Sequence, residues 1–461
     1  MKTHDIHGKG LTRRRFLQRM LGGAAALPAG LALGGLPGLV EAAPAGARDY
    51  RALVCLYLHG GNDSFNMVVP RSGPGYRRYA ASRGNLAVAR DSLLPIEPAT
   101  TQADDYGLHP ALAPLLDHFE RGDLAVVANV GMLPRPMTAE EARRYPAELP
   151  PQLFSHSDQA AQWQTGLPWH SNGLGWGGRM MDLLQPLNQD FDLPPAITLA
   201  DESLFLVGED VVQYNLSPWG PEGLEVLGEG EDDPVAAAFL ALLRRPRRNL
   251  LERQFVRVQR RAVDIYERIS SLLDDQEDLA TEFPDSDLGE QLAMVARVIA
   301  ARGRLDQPAG RQLFFVAAGG WDTHDAQNQD QPLLYGNLAA CMSAFQQAMD
   351  EIGARDAVTL FTASEFGRTL TSNGDGTDHG WGGHHLVLGG AVAGGEIHGE
   401  MPELTIGGPL DVDGGRLVPT IAQAQYSATL AGWFGLDEDQ LLALFPHLER
   451  FERIDLGFMN A

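Results

Sequence analysis

Two cysteines in a chain of 461 residues, Cys55 and Cys341, are too few for a disulfide framework or a cysteine-based zinc cluster. Cys55 lies in an apolar strand-like run and Cys341 on the apolar face of an expected helix. Two buried free thiols is the economical reading, with a single bridge left open in an oxidising compartment. Positive charge is also scarce. Lys and Arg number 36 against 60 Asp and Glu, a net charge of −24. A surface of that sign repels phosphate backbones and anionic lipid away from local basic patches, which sets nucleic acid aside as a partner. Beyond the N-terminal segment no stretch has the length and polarity of a membrane span.

The 44% hydrophobic and 21% charged residues are those of a globular protein with material for a large core. The N-terminus reads Thr12-Arg13-Arg14-Arg15-Phe16-Leu17, a twin-arginine signature. A glycine-rich apolar stretch, Leu21 to Val40, follows, and then small residues at Ala42, Ala43 and Ala45 that suit cleavage. Residues 1–45 are therefore expected to be a signal peptide and 46–461 the folded domain. The expected destination is periplasmic or secreted, with the twin-arginine machinery as a partner and peripheral or no membrane association after export.

Three apolar runs read as buried strands that each end in polar, glycine-rich turns. Arg51 to Leu58 runs into His59-Gly60-Gly61-Asn62-Asp63. Gln312 to Ala318 runs into Gly319-Gly320-Trp321-Asp322-Thr323-His324, and Ala357 to Ala363 into Ser364-Glu365-Phe366-Gly367-Arg368. Between the last two, Leu334, Leu338, Cys341, Phe345, Met349 and Ile352 mark one helical face, so strand, helix and strand form a βαβ unit. Leu124 to Val130 and Leu386 to Ala391 read as further strands, and Pro110 to Arg121 as a helix. The pattern predicts one α/β domain with a mostly parallel sheet.

A helical insertion is expected at 245–303. Leu251, Phe255, Val258, Ala262, Ile265, Ile269 and Leu272 alternate steps of four and three, and Leu288, Leu292, Val295 and Ile299 repeat the spacing. That predicts a hairpin packed through a narrow apolar seam. Arginines from Arg244 to Arg261 decorate its first helix. They read either as a docking face or, more economically, as a solvated face paired with local carboxylates. Met132 to Leu153 and Ser217 to Pro234 read as long loops.

Thirteen histidines occur, two of them before residue 45; of the other eleven, six sit in the segments where chemistry is expected: His59, His156, His324, His379, His384 and His385. Asp322 and His324 are two apart, so in an extended loop both side chains reach one pocket. Carboxylate plus imidazole suits a transition metal, while a simple loop hydrogen bond is the bland alternative. Asp378-His379-Gly380-Trp381-Gly382-Gly383-His384-His385 lets backbone approach an ion closely, or forms a glycine-rich hairpin with exposed histidines. Asp63 and Glu365 could complete a carboxylate-rich site, and Arg368 could hold an anion or pair with Glu365. Ser155-His156-Ser157-Asp158 opens a helix-like run. Ser155 reads as an N-cap in a capping box with Asp158, or as an anion-facing nucleophile.

These pieces resemble an exported bacterial family, domain of unknown function 1501. The resemblance rests on LHGGNDSFNMVVP from Leu58, SHSDQAAQWQTG from Ser155, GWDTHDAQ from Gly320, TASEFGRT from Thr362 and DHGWGGHH from Asp378. That family is grouped with the alkaline-phosphatase-like superfamily, which also holds sulfatases and phosphoglycerate mutases. The resemblance implies an alkaline-phosphatase-like mixed sheet flanked by helices, binding one or two divalent ions, Zn or Mn. It implies one ion on Asp322, His324 and His384, and a second on Asp63, Ser155 and Glu365, with His379 or Asp378 from the late loop in support. The reaction it implies is displacement at phosphorus or sulfur in a small anionic ester, with Ser155 as nucleophile; His156 and Arg368 join Ser155 as candidate catalytic residues. The first pair is spaced more closely than in phosphatases, and Glu365-Phe366 stands where they have Asp-His. No sulfatase-type Cys/Ser-x-Pro-Arg motif occurs. A non-catalytic exported binding protein on the same fold is the alternative, since a fold does not fix function.

Overall fold

The strand β1 (Tyr50–Leu58) alternates its side chains between two cores, as the period of two requires. Ala52, Val54, Leu56 and Leu58 face one apolar cluster, and Leu53, Cys55 and Tyr57 the other. Being buried on both faces is what makes this run continuously apolar. The computed structural model describes residues 49–460 apart from 101, 170, 190, 222–233, 275 and 306–308. The twin-arginine segment and its cleavage region lie outside the described residues. Gly46–Ala461 forms one compact unit.

Three short strands, β2 (Val68–Pro70), β3 (Leu94–Ile96) and β4 (Tyr106–Leu108), make a small antiparallel sheet. The main sheet takes β5 (Leu124–Gly131), β6 (Ala196–Thr198), β7 (Tyr214–Asn215), β8 (Gly310–Ala318) and β9 (Val358–Ala363). A hairpin of β10 (Arg368–Ser372) and β11 (Thr377–His379) follows. Then come β12 (Gly383–Leu388), β13 (Glu396–His398) and β14 (Ile421–Ala422). The spatial order is β13-β5-β12-β9-β1-β8-β6-β7, with β14 also on β5. Among the described strands of this sheet only β12 runs against its neighbours, so the sheet is mixed and mostly parallel.

Helices cover both faces. Gln327–Glu351 and Asp287–Ala301 bury Leu338, Phe345, Leu292 and Ile299 on one side. Gln423–Phe434 and Trp176–Leu183 bury Leu430, Phe434, Trp176 and Met180 on the other. The expected βαβ unit is present, with β1 lying between its two strands. Cys55 and Cys341 are free and buried. Pro110–Leu115 is 3-10 before the α-turn Leu116–Glu120, because Pro114 cannot donate into an α-ladder.

The insertion departs from expectation in two ways. An extra helix, Pro234–Arg244, begins at the end of a stretch read as loop. In Leu250–Asp274 the seam holds only in the later half, where Val263, Ile269, Leu272 and Leu273 are buried; Leu251, Phe255 and Val258 stand in solvent.

Strand β12 carries two buried histidines. A register shift between Gly383 and His385 separates them, and His385 stacks on Tyr426 while His384 meets the edge of Phe65. Burial pushes His384 down to about 3, with the His385 charge adding to it, and His385 to about 4. The unfolded chain takes up these protons near pH 6.5 and the native chain does not, so stability is whole above 6.5 and declines as pH falls below it. The two together should cost about 2 kcal/mol between pH 6.5 and 5.5. Urea midpoints at the two pH values measure this, and equal midpoints would contradict it.

Candidate metal centre

The neighbours β9, β1 and β8 are parallel and in step: Tyr57 stands beside both Ala317 and Ala363. The turns that leave them, 364–368, 59–63 and 319–324, therefore meet at one sheet edge, outside the carboxyl ends where α/β sheets place ligands. Asp322 is the hub. Its Oδ1 accepts from Arg368 Nη1 at 2.5 Å and lies 3.0 Å from His324 Nε2 and 3.3 Å from His379 Nε2. Its Oδ2 lies 3.3 Å from His156 Nε2. Burial opposes ionisation of Asp322, but the Arg368 guanidinium outweighs it and holds the carboxyl below its ordinary range.

The other ring nitrogen of each histidine is committed elsewhere. His156 Nδ1 is 3.0 Å from Glu365 Oε1, His324 Nδ1 is 3.3 Å from Asp378 Oδ1, and His379 Nδ1 is 2.7 Å from the Phe154 carbonyl. All three of these partners are acceptors, and Asp322 is an acceptor on the Nε2 side, so a metal ion would select the tautomer with the proton on Nδ1 and the lone pair on Nε2. Burial holds His379 below the ordinary histidine range, which favours its neutral ring. His324 Nε2 and His379 Nε2 stand only 2.9 Å apart. Two ring nitrogens at that distance, beside a carboxylate, share either a proton or a cation.

The spacing fits one. Ligand atoms about 2.0–2.1 Å from a tetrahedral Zn²⁺ stand about 3.3 Å from one another. Ligand atoms of His156, Asp322 and His379 all lie within 4.8 Å of one another, and His324 reaches two of them. Asp322 and His324 are 42% exposed, so the centre opens to solvent and an ion has an entry path.

Glycine and strain support the geometry. Gly60, at φ +121°, donates its N–H to Glu365 Oε1 at 2.9 Å and accepts from Arg368 Nη1 at 3.0 Å. A Cβ there would stand 2.2 Å from the Asp322 nitrogen. Gly60→Ala should lower stability by more than about 1 kcal/mol and weaken metal binding together, as read by thermal melting and metal titration. Unchanged values in both would contradict the packing described. Phe154 sits at φ +77°, held by its bond to His379 and by Arg416, whose guanidinium lies 4.9 Å over its ring. A non-glycine residue there costs of order 1–3 kcal/mol, and such strain gathers at functional sites.

The expected residues separate into three groups. His156, Asp322, His324 and His379 converge. Glu365 and Asp378 stand behind them as acceptors that orient the histidines, rather than as ligands. Asp63, His384, Ser155 and Arg368 do not join the ligand set. Asp63 turns its carboxylate to Arg83 and Gln327, both buried. His384 Nδ1 accepts from the Asn129 N–H on β5, away from the cluster. Arg368 is fully buried, with Thr377, Gly60 and Asp322 taking its donors, so it orients Asp322 and does not hold a free anion. Its expected pairing with Glu365 is absent among the described contacts. Ser155 does occupy the N-cap of His156–Thr165, but its Oγ donates to Asp158 Oδ2 at 2.6 Å and caps no backbone N–H, so there is no capping box. His156, read as catalytic, stands in the cluster with Asp322 and His379. Arg416 was missed; its Nε donates to the His379 carbonyl at 3.0 Å, and nothing in the local sequence marks it.

Fold and cluster together define an α/β protein with a histidine–carboxylate centre at the carboxyl edge of parallel strands. The family described as Protein of unknown function (DUF1501) matches residues 50–408, and the chain belongs to it. No curated protein matches the chain. Among solved structures, Ps i-CgsB in complex with k-i-k-neocarrahexaose is 10% identical, covering 88% of this chain and 78% of that one at a TM-score of 0.31. A Bacteroides thetaiotaomicron protein described with the metabolism of multiple glycosaminoglycans is 8% identical, covering 85% and 74% at 0.32. At those scores the likeness carries no argument about this chain.

Proposed function

We propose that this chain is an exported, metal-dependent hydrolase of phosphate or sulfate esters, of the alkaline-phosphatase-like type, acting in the periplasm or outside the cell. One observation carries the reading: three histidine Nε2 atoms and the Asp322 carboxylate converge at the carboxyl edge of the sheet. Imidazole with carboxylate oxygen suits Zn or Mn. A bound divalent ion would supply Lewis-acid polarisation of a phosphoryl or sulfuryl oxygen.

The chain's own groups do the rest. Glu365 aims His156, and Arg368 holds Asp322 ionised. Ser155 directly precedes His156 at the helix N-terminus, and its hydroxyl proton already points to the Asp158 carboxylate. That pairing suits a nucleophile whose proton is taken as it attacks. Arg416, beside the cluster through Phe154 and His379, is the cation we assign to an anionic ester in place of Arg368.

Aryl phosphate and aryl sulfate turnover by the metal-loaded protein tests the reading. Ser155→Ala should keep its metal and lose about 10³-fold or more in turnover, while Asp322→Ala loses both. The commitment of Arg368 to Asp322 favours a second reading, a non-catalytic binding protein. Folded protein without turnover on either ester class would select it.

A further inference from the structure

The helices Pro234–Arg244 and Leu250–Asp274 leave apolar surface bare at one place. The first is apolar throughout until Arg244, yet Leu242 and three of its alanines are exposed. The second carries the four-three stripe that packs at Ile269 and Leu272, but upstream the same stripe is open to solvent. Leu251 is 79% exposed, Phe255 62% and Val258 53%. Single exposed apolar residues are ordinary; a contiguous set on one helix face marks an interaction surface.

Its charge is opposite to that of the chain. Residues 234–268 hold nine arginines against Glu252, Asp264 and Glu267, a formal +6, in a chain of net −24. Arg244, Arg253, Arg257, Arg260 and Arg261 line an open groove of about 880 Å³ where the helices meet. Among the described residues Arg268 alone of the arm's arginines makes an ion pair, with Asp192 at 2.9 Å. Arg257, Arg261 and Arg268 recur at four and seven positions along one flank of the apolar stripe.

An occupant must therefore be apolar along a strip and anionic beside it. A second copy offering the same stripe would bring two arms of +6 together. A bilayer with acidic headgroups supplies both halves at once: acyl boundary for the stripe and phosphates for the arginines. We propose that residues 234–268 are a docking arm that seats the protein on an anionic phospholipid surface. The arm lies on that surface, because no helix among the described residues is long and apolar enough to cross a membrane. The acidic remainder of the chain is repelled by the same surface, which leaves the arm as the contact.

Co-sedimentation of the mature chain with phosphatidylcholine vesicles, alone or with about one third phosphatidylglycerol, tests this. Binding should be at least about tenfold tighter to the mixed vesicles and should weaken as salt is raised. R257Q/R260Q/R261Q should erase the preference, and L251S/F255S/V258S should reduce binding to both. All these positions are exposed or at the groove, so circular dichroism and metal content should stay those of the parent. No sedimentation, or equal binding to neutral and anionic vesicles, overturns the proposal whatever the variants do. So does a dimer in light scattering that the serine variant dissolves, without vesicle binding, since that assigns the stripe to a second copy. Neither outcome touches the metal centre.

Discussion

Asp322→Ala protein should fold and lose more than about 100-fold in affinity for Zn or Mn, beyond the 10–100-fold typical of outer-shell changes. Asp322 reaches His156, His324 and His379 alike, so its loss should remove both a proposed ligand and the charge that would draw a cation in. Its side chain is 42% exposed, so no core cavity follows. Arg368 keeps Gly60 and Thr377 as partners. Glu365→Gln is the graded companion. It keeps shape but removes the charge that aims His156, and should cost about 10–100-fold. Chelator competition and elemental analysis read both. Wild-type affinity in Asp322→Ala would remove the centre from the account.

Asp63→Ala should destabilise the fold by about 3–5 kcal/mol, because it leaves a buried guanidinium without its countercharge. Asp63 and Arg83 form a pair with no exposed surface on either side chain. Around it Gln327, Gln331, Asn66, Tyr79 and Tyr335 close a buried polar network. The network reaches the histidine–Asp322 cluster: Thr377 Oγ1 donates to Gln327 Oε1 at 2.8 Å, and Arg368 Nε donates to Thr377 Oγ1 at 3.2 Å. Metal affinity should therefore fall in the same variant, by less than in Asp322→Ala. Urea denaturation supplies the stability value; a midpoint equal to the parent's would mean the pair contributes nothing.

Much of this was legible before any coordinates, and the residues show why. Continuous apolar runs at β1, β8 and β9, each ending in glycine and polar residues, are what doubly buried parallel strands look like in sequence. They fixed where Asp322, His324 and Glu365 would lie. Asp322 and His324 share a pocket as their two-residue spacing implies. What failed was the assignment of shells. Glu365 and His156 are chemically interchangeable as ligand and support until the distance between them is known. Asp63 looked like a ligand because its partner, Arg83, comes from a separate helix with no pattern linking the two. His384 was misplaced because the register shift in β12 breaks the alternation that would have oriented it. In the insertion, periodicity gave the stripe on Leu250–Asp274 correctly but not that only half of it is covered. Amphipathicity identifies a face, not its occupant.

X-ray absorption at the metal edge of zinc- or manganese-loaded protein tests the central claim most directly. Three imidazole nitrogens and carboxylate oxygen should surround the ion, with imidazole scattering reduced in both His156→Ala and His379→Ala. A loaded, folded protein whose ion shows no histidine scattering, or whose spectrum is unmoved by those substitutions, would place the metal elsewhere and end this reading of the site.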